Sequence, residues 1–236
     1  MKIDLKITPK SPIIIEGFPG FGLIGTITTE FLIEQLKAEL IGTIKATDLP
    51  AMIAIHEGKV VQPLGIFYDK KTNIMIVHII TNVQGMEWEL SDAIVDMAKK
   101  LKAKEIICLE GVASPGESEG VLTFYYTTNK ASKTILEKNK VPPLKEGIIL
   151  GVTGSLLLEA ENFPLTSIFV EAHSALPDSK AAAEIIKVLD KLLGMNIDPS
   201  PLMQQAEKFE KKIKGIMERS KIATDEQMKK KLSYVG

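Results

Sequence analysis

The chain of 236 residues has a single cysteine, Cys108, so neither an intrachain disulfide nor a multi-cysteine metal cluster can staple it. That thiol lies in the apolar run Glu105-Ile-Ile-Cys-Leu-Glu110, which reads as a buried strand. Nothing near it in sequence would lower its pKa, so it reads as a structural thiol in a reducing compartment. Arginine is almost missing: of 29 basic residues only Arg219 is not a lysine. Arginine is the usual fork for phosphates and base edges, so its scarcity argues against nucleic-acid recognition. The lysine runs Lys99-Lys100 and Lys229-Lys230-Lys231 are short and read as solvated helix faces. No apolar run approaches the roughly 20 residues that a membrane span needs. The N-terminus Met1-Lys-Ile-Asp-Leu-Lys-Ile alternates like a strand and does not resemble a signal peptide. These absences point to a cytoplasmic protein without membrane contact. With 45% hydrophobic residues and a net charge of −1, the chain has what a folded domain needs to bury its own core.

Strand and helix patterns alternate. Ile3, Leu5 and Ile7 suggest a first strand, and Ile13-Ile14-Ile15 a second. A glycine-rich turn, Gly17 to Gly25, leads into a helix over about 23–38. Strands are expected at 40–44 and 52–56, and a hairpin at 64–68 and 74–80 around Asp69-Lys-Lys-Thr-Asn73. Helical spacing of Leu90, Ile94, Met97, Ala98 and Leu101 predicts a helix over 87–102, followed by a strand at 105–110. Residues 114–120 read as a loop, 121–127 as a strand, 131–138 as a short helix, 148–152 as a strand and 155–162 as a short helix. A strand at 167–171 and a helix over 178–193, closed by Gly194, complete the pattern. The fold class is α/β: a three-layer α/β/α sandwich on a mostly parallel mixed sheet over residues 1–196. Asp198-Pro-Ser-Pro201 then breaks the chain, and residues 197–236 form a helical extension and tail. In that extension Leu202, Ala206, Phe209, Ile213 and Ile216 make a seam two heptads long, suited to packing on the domain or to pairing with a second subunit.

The sharpest motif is Gly17-Phe-Pro-Gly20-Phe-Gly22-Leu-Ile-Gly25. It holds a Gly20-x-Gly22-x-x-Gly25 pattern between a strand and a helix, where a dinucleotide fingerprint would sit, with Asp48 as the ribose partner. Bulky Phe18 and Phe21 and the missing N–H of Pro19 argue against a phosphate cradle. Two other readings stand: a tight turn needing positive φ, or a Phe18/Phe21 surface patch for subunit contact. His56 and His78 read as structural imidazoles near strand ends. Glu110, Glu171 and His173 follow strands and would share a crevice, an arrangement able to do acid–base work, yet no HExxH or GxSxG pattern accompanies them. No catalytic set, metal set or cofactor is therefore expected. Trp88 reads as a core or rim anchor.

The glycine turn, Leu49-Pro50 with Ile55-His56-Glu57-Gly58, Glu110-Gly111, Gly151-Val-Thr-Gly154 with Leu156-Leu-Leu-Glu159, and Glu171-Ala-His173 with Pro177-Asp178 come in an ordered set. Together they resemble the PAC2 family, archaeal relatives of proteasome assembly chaperones. The resemblance implies a phosphorylase-like sandwich without established catalysis. It further implies self-assembly into a homo-oligomer, with Phe18, Phe21, Leu202, Phe209, Ile213 and Ile216 as seam candidates, and binding to proteasome α subunits or another assembly factor. Some relatives carry a tail ending hydrophobic–Tyr–any residue. This chain ends Leu232-Ser-Tyr234-Val235-Gly236, with the tyrosine third from the end, and these residues are the candidate partner contact.

Overall fold

The computed structural model describes residues 1–46, 53–56, 59–113, 121–172 and 176–204, together with 206, 208, 211, 213–215 and 218. In chain order the elements are β1 (Lys2–Leu5), β2 (Ile13–Gly17), a 3-10 turn (Phe21–Leu23), α1 (Ile24–Leu36), β3 (Glu39–Lys45), β4 (Ala54–His56) and β5 (Lys59–Val61). There follow β6 (Leu64–Asp69), β7 (Ile74–Ile79), α2 (Glu87–Leu101), β8 (Glu105–Ala113), β9 (Thr123–Thr127) and α3 (Lys130–Lys138). Last come α4 (Gly151–Glu159), β10 (Leu165–Ala172), α5 (Ser179–Leu193) and α6 (Ser200–Gln204).

Eight strands form one sheet in the order β1-β3-β6-β7-β2-β8-β10-β9, and β4 and β5 pair separately as a hairpin. The four central strands, β7, β2, β8 and β10, run parallel. The flanking pairs are antiparallel. Parallel strands are covered on both faces, which is why their sequences read as near-continuous apolar runs. Alternation then sorts the side chains. Ile15, Ile76, Ile107 and Ile168 join α1 and α5 on one face. Ile14, Met75, Val77, Ile106 and Cys108 join α2 and α4 on the other. Local signals agree with this: the Asn129 and Asp178 side chains cap α3 and α5, and Gly194, at φ 63°, closes α5.

Several expectations are corrected. Residues 148–152 do not form a strand. They are an irregular approach to α4, with Ile148 88% and Leu150 77% exposed. A short apolar run carries no partner information, and here Gly151, at φ 75°, turns the chain into a helix that begins earlier than expected. The first strand ends at Leu5, leaving Ile7 exposed, and Trp88 is 55% exposed, so it is no core residue. β8 and β10 run longer than their apolar runs suggest because they pair with each other throughout. In the C-terminal extension Leu202 and Ile213 are fully buried in the cluster that holds α1 and α5. The seam at these two positions therefore packs on the chain's own domain; Phe209 and Ile216 lie outside the described residues.

Leu202→Ala removes a fully buried side chain at the junction of extension and domain. It is expected to cost about 2–4 kcal/mol, seen as a fall in Tm of roughly 5–10 °C by calorimetry. An unchanged Tm would mean that the extension does not dock there in solution.

Candidate functional site

The connection from β2 to α1 is built on backbone contact. A Cβ on Gly25 would stand 2.6 Å from the Leu109 carbonyl oxygen and 3.0 Å from Gly17 Cα, so α1 starts directly against β2 and β8. Gly22 and Leu23 both adopt left-handed conformations, at φ 68° and φ 51°. For Leu23 this conformation carries strain that the surrounding contacts must offset. A Cβ on Gly20 would overlap Oε1 of Glu110, and one on Gly111 would overlap the Phe21 carbonyl oxygen. The space beside these glycines is thus filled by the chain itself.

Glu110 ties the turn to β8. It accepts backbone N–H bonds from Gly111 and Phe21. Its Oε2 also accepts from the Thr153 hydroxyl of α4 at 3.0 Å, and the same hydroxyl lies 3.3 Å from Oε1 of Glu16. Glu16 is completely buried on β2, its Oε2 has no hydrogen-bond partner, and the Cys108 thiol lies beside the carboxyl. Burial pushes Glu16 up to about 8, the negative charge of Glu110 adding to the rise and the Cys108 and Thr153 donors opposing it. Burial also pushes Glu110 up to about 7, against the pull of its Thr153, Gly111 and Phe21 donors. The Cys108 thiol is pushed up as well, by burial and by Glu16, which fits an inert structural cysteine.

Beyond the carboxyl ends of β7, β2, β8 and β10 lies a cavity of about 790 Å³. In open α/β sheets this is the end at which ligands bind. Glu110 and Glu171 reach it from β8 and β10; Phe21, Phe124, Leu144 and Ile149 supply apolar wall. The roof is the irregular 142–150 segment, whose end, residues 148–150, belongs to the stretch expected as a strand. The sequence signals that could have marked it as irregular are Pro142-Pro143 and Gly147.

With the fold and the cavity in view, comparison with known proteins is decisive on ancestry. Residues 14–217 match the sequence pattern of the PAC2 family. The chain belongs to the PAC2 family. This PAC2 chain is similar in structure to Pyrococcus furiosus PbaA, described as an archaeal homolog of proteasome-assembly chaperone: 30% identity, TM-score 0.84, covering 94% of this chain and 99% of PbaA. It shares its fold with Pyrococcus furiosus PbaB, described as an archaeal proteasome activator, at 24% identity and TM-score 0.74, covering 91% and 98% of the two chains. In sequence it is 27% identical over 215 residues to the Methanocaldococcus jannaschii protein MJ0106, covering 90% of this chain and 88% of that protein.

The structure places the sequence-derived residues unevenly. Gly20, Gly22 and Gly25 do form the strand-to-helix turn, and Glu110 and Glu171 do share one crevice. Asp48, His173 and Leu232 to Gly236 lie outside the described residues. Phe18 is only 4% exposed within the core, so the proposed Phe18/Phe21 surface patch is not formed; Phe21 is part-buried and lines the cavity. His78 is a buried structural imidazole, its Nδ1 2.8 Å from Thr29 Oγ1 and its Nε2 3.0 Å from Glu30 Oε2. Of His56 only the backbone, in β4, is described. Among the described residues no helix is long and apolar enough to cross a membrane.

Glu16 and Glu110 both hold a proton more tightly folded than unfolded, where their ordinary value is 4.5. Their contribution to stability is therefore full below that value and is lost as pH rises through 7 and 8. Wild-type Tm is expected to fall by on the order of 5 °C between about pH 5.5 and 8.5. Glu16→Gln, neutral at all pH, should flatten that slope in a calorimetric series. An equally steep slope in the variant would place the titration elsewhere.

Proposed function

We propose that this chain is a non-catalytic, homo-oligomeric assembly chaperone that binds proteasome α subunits. The likeness to PbaA over nearly the whole length of both chains carries this reading. Surface chemistry supports it. Ile148 and Leu150, just before α4, stand 88% and 77% exposed, Leu158 in the last turn of α4 stands 67% exposed, and Ile53, Ile55 and Val60 are exposed on the β4–β5 hairpin and beside it. A two-stranded hairpin is marginal on its own, and clustered apolar side chains in water mark contact surfaces. In this reading residues 1–196 form the body that self-assembles, and residues 197–236 carry the tail that meets the partner. Repetition of the subunit then displays several tails, so weak single contacts add through effective concentration. The tail contact would rest on Leu232, Tyr234, Val235 and Gly236, with Ser233 and the displaced tyrosine altering the docking register.

Native mass spectrometry of the protein, alone and mixed with archaeal proteasome α subunits, tests the proposal. The expected result is a discrete homo-oligomer that forms a defined complex. A variant lacking residues 221–236 should keep the oligomer and lose the complex. A monomer, or an oligomer that ignores α subunits, would contradict the reading; a complex that survives the deletion would remove the tail from it.

A further inference from the structure

The cavity at the carboxyl end of the sheet has no part in the chaperone reading, yet it is built like a site for a small molecule. Its 790 Å³ is within the range of ligand pockets. Its walls are apolar, from Phe21, Phe124, Leu144 and Ile149, while among the described residues the ionisable side chains at its surface are Glu87, Glu110, Glu146 and Glu171 against Lys145. That balance repels phosphates and carboxylates and attracts cations.

The floor is tied to the fold through hydrogen bonds. Glu110 is held by the Thr153 hydroxyl on one oxygen and packs the other against Gly20. Behind it the Thr153 hydroxyl also reaches Glu16, whose buried Oε2 has no hydrogen-bond partner. A fixed acidic group at the end of an apolar chamber recognises a molecule with one charged donor and an apolar body. The roof, residues 144–150, is irregular and partly solvent-exposed, which gives such a molecule a way in.

We infer that this cavity binds a small organic cation, with a protonated amine or guanidinium against Glu110 and an aromatic or aliphatic body along Phe21, Phe124, Leu144 and Ile149. The apolar body supplies affinity by burial, and the charge-assisted hydrogen bond to Glu110 supplies selection. This inference does not depend on the chaperone reading: it rests on the cavity and on Glu110 at its floor, although Ile148 and Leu150 of the roof also belong to the exposed apolar residues.

The test uses three probes that share an indole body: tryptamine as cation, tryptophol as neutral molecule and indole-3-propionate as anion. Binding to the full chain at about pH 8, above the value of about 7 to which burial pushes Glu110, is followed by isothermal titration and by chemical-shift changes at the Phe21 and Gly111 amides. Tryptamine is expected to bind at least about tenfold more tightly than tryptophol, the size of a hydrogen bond to a charged group, and indole-3-propionate most weakly. Glu110→Gln should abolish the preference, so that tryptamine binds no more tightly than tryptophol. Ile149→Trp, which adds bulk to the cavity from its roof, should weaken tryptamine and tryptophol alike. Equal binding of tryptamine and tryptophol, preference for the anion, no binding of tryptamine, or a preference that survives Glu110→Gln would each overturn the inference.

Discussion

The close approach of the β2–α1 turn to β8 is the constraint on which the rest of the structure depends. Gly17 and Gly25 let strand and helix backbones meet, and Gly25 also rests on the Leu109 carbonyl. One step further along, Glu110 fills the space where a Gly20 side chain would stand and accepts the Phe21 N–H. Widening any of these contacts would lift α1 from the sheet, together with Ile24, Ile27 and Phe31, which it buries there. The motif that resembles a phosphate cradle is thus occupied by a carboxylate of its own chain, and a carboxylate at that place disfavours an anionic guest.

This constraint also accounts for the unusual acids. Two carboxyls sit within reach of one threonine hydroxyl in a water-poor layer between β2, β8 and α4. Paired like charges there would be costly, and a retained proton is the inexpensive alternative. The group that holds the turn thus also forms the cavity floor. The exposed apolar residues of the β4–β5 hairpin and Leu158 do not line the cavity, whereas Ile148 and Leu150 belong to its roof.

Much of this was legible in the sequence. The central strands announce themselves through Ile13-Ile14-Ile15 and Glu105-Ile-Ile-Cys-Leu, since burial on both faces leaves only apolar choices. α2 and α5 follow from periodicity and from Asp178 and Gly194 at the ends of α5. The crevice shared by Glu110 and Glu171 follows from both residues sitting late in parallel strands. Residues 148–152 misled because β-branched and leucine side chains exposed to solvent look the same in sequence as those buried in a sheet. The Leu202–Ile213 seam left two packings open, as a heptad pattern records an apolar stripe but not its partner. The Glu16–Thr153–Glu110 link was not legible at all: it joins residues 137 positions apart, and no local pattern encodes it.

Amide hydrogen exchange at Phe21 tests the central physical claim most directly. If the Glu110 carboxylate locks the turn, the Phe21 N–H exchanges with the slow class of β8 amides in the wild-type chain. In Glu110→Ala it should exchange faster by orders of magnitude while the amides of β2 and β7 stay protected. Exchange of Phe21 at the rate of an open loop in the wild-type protein would contradict the account.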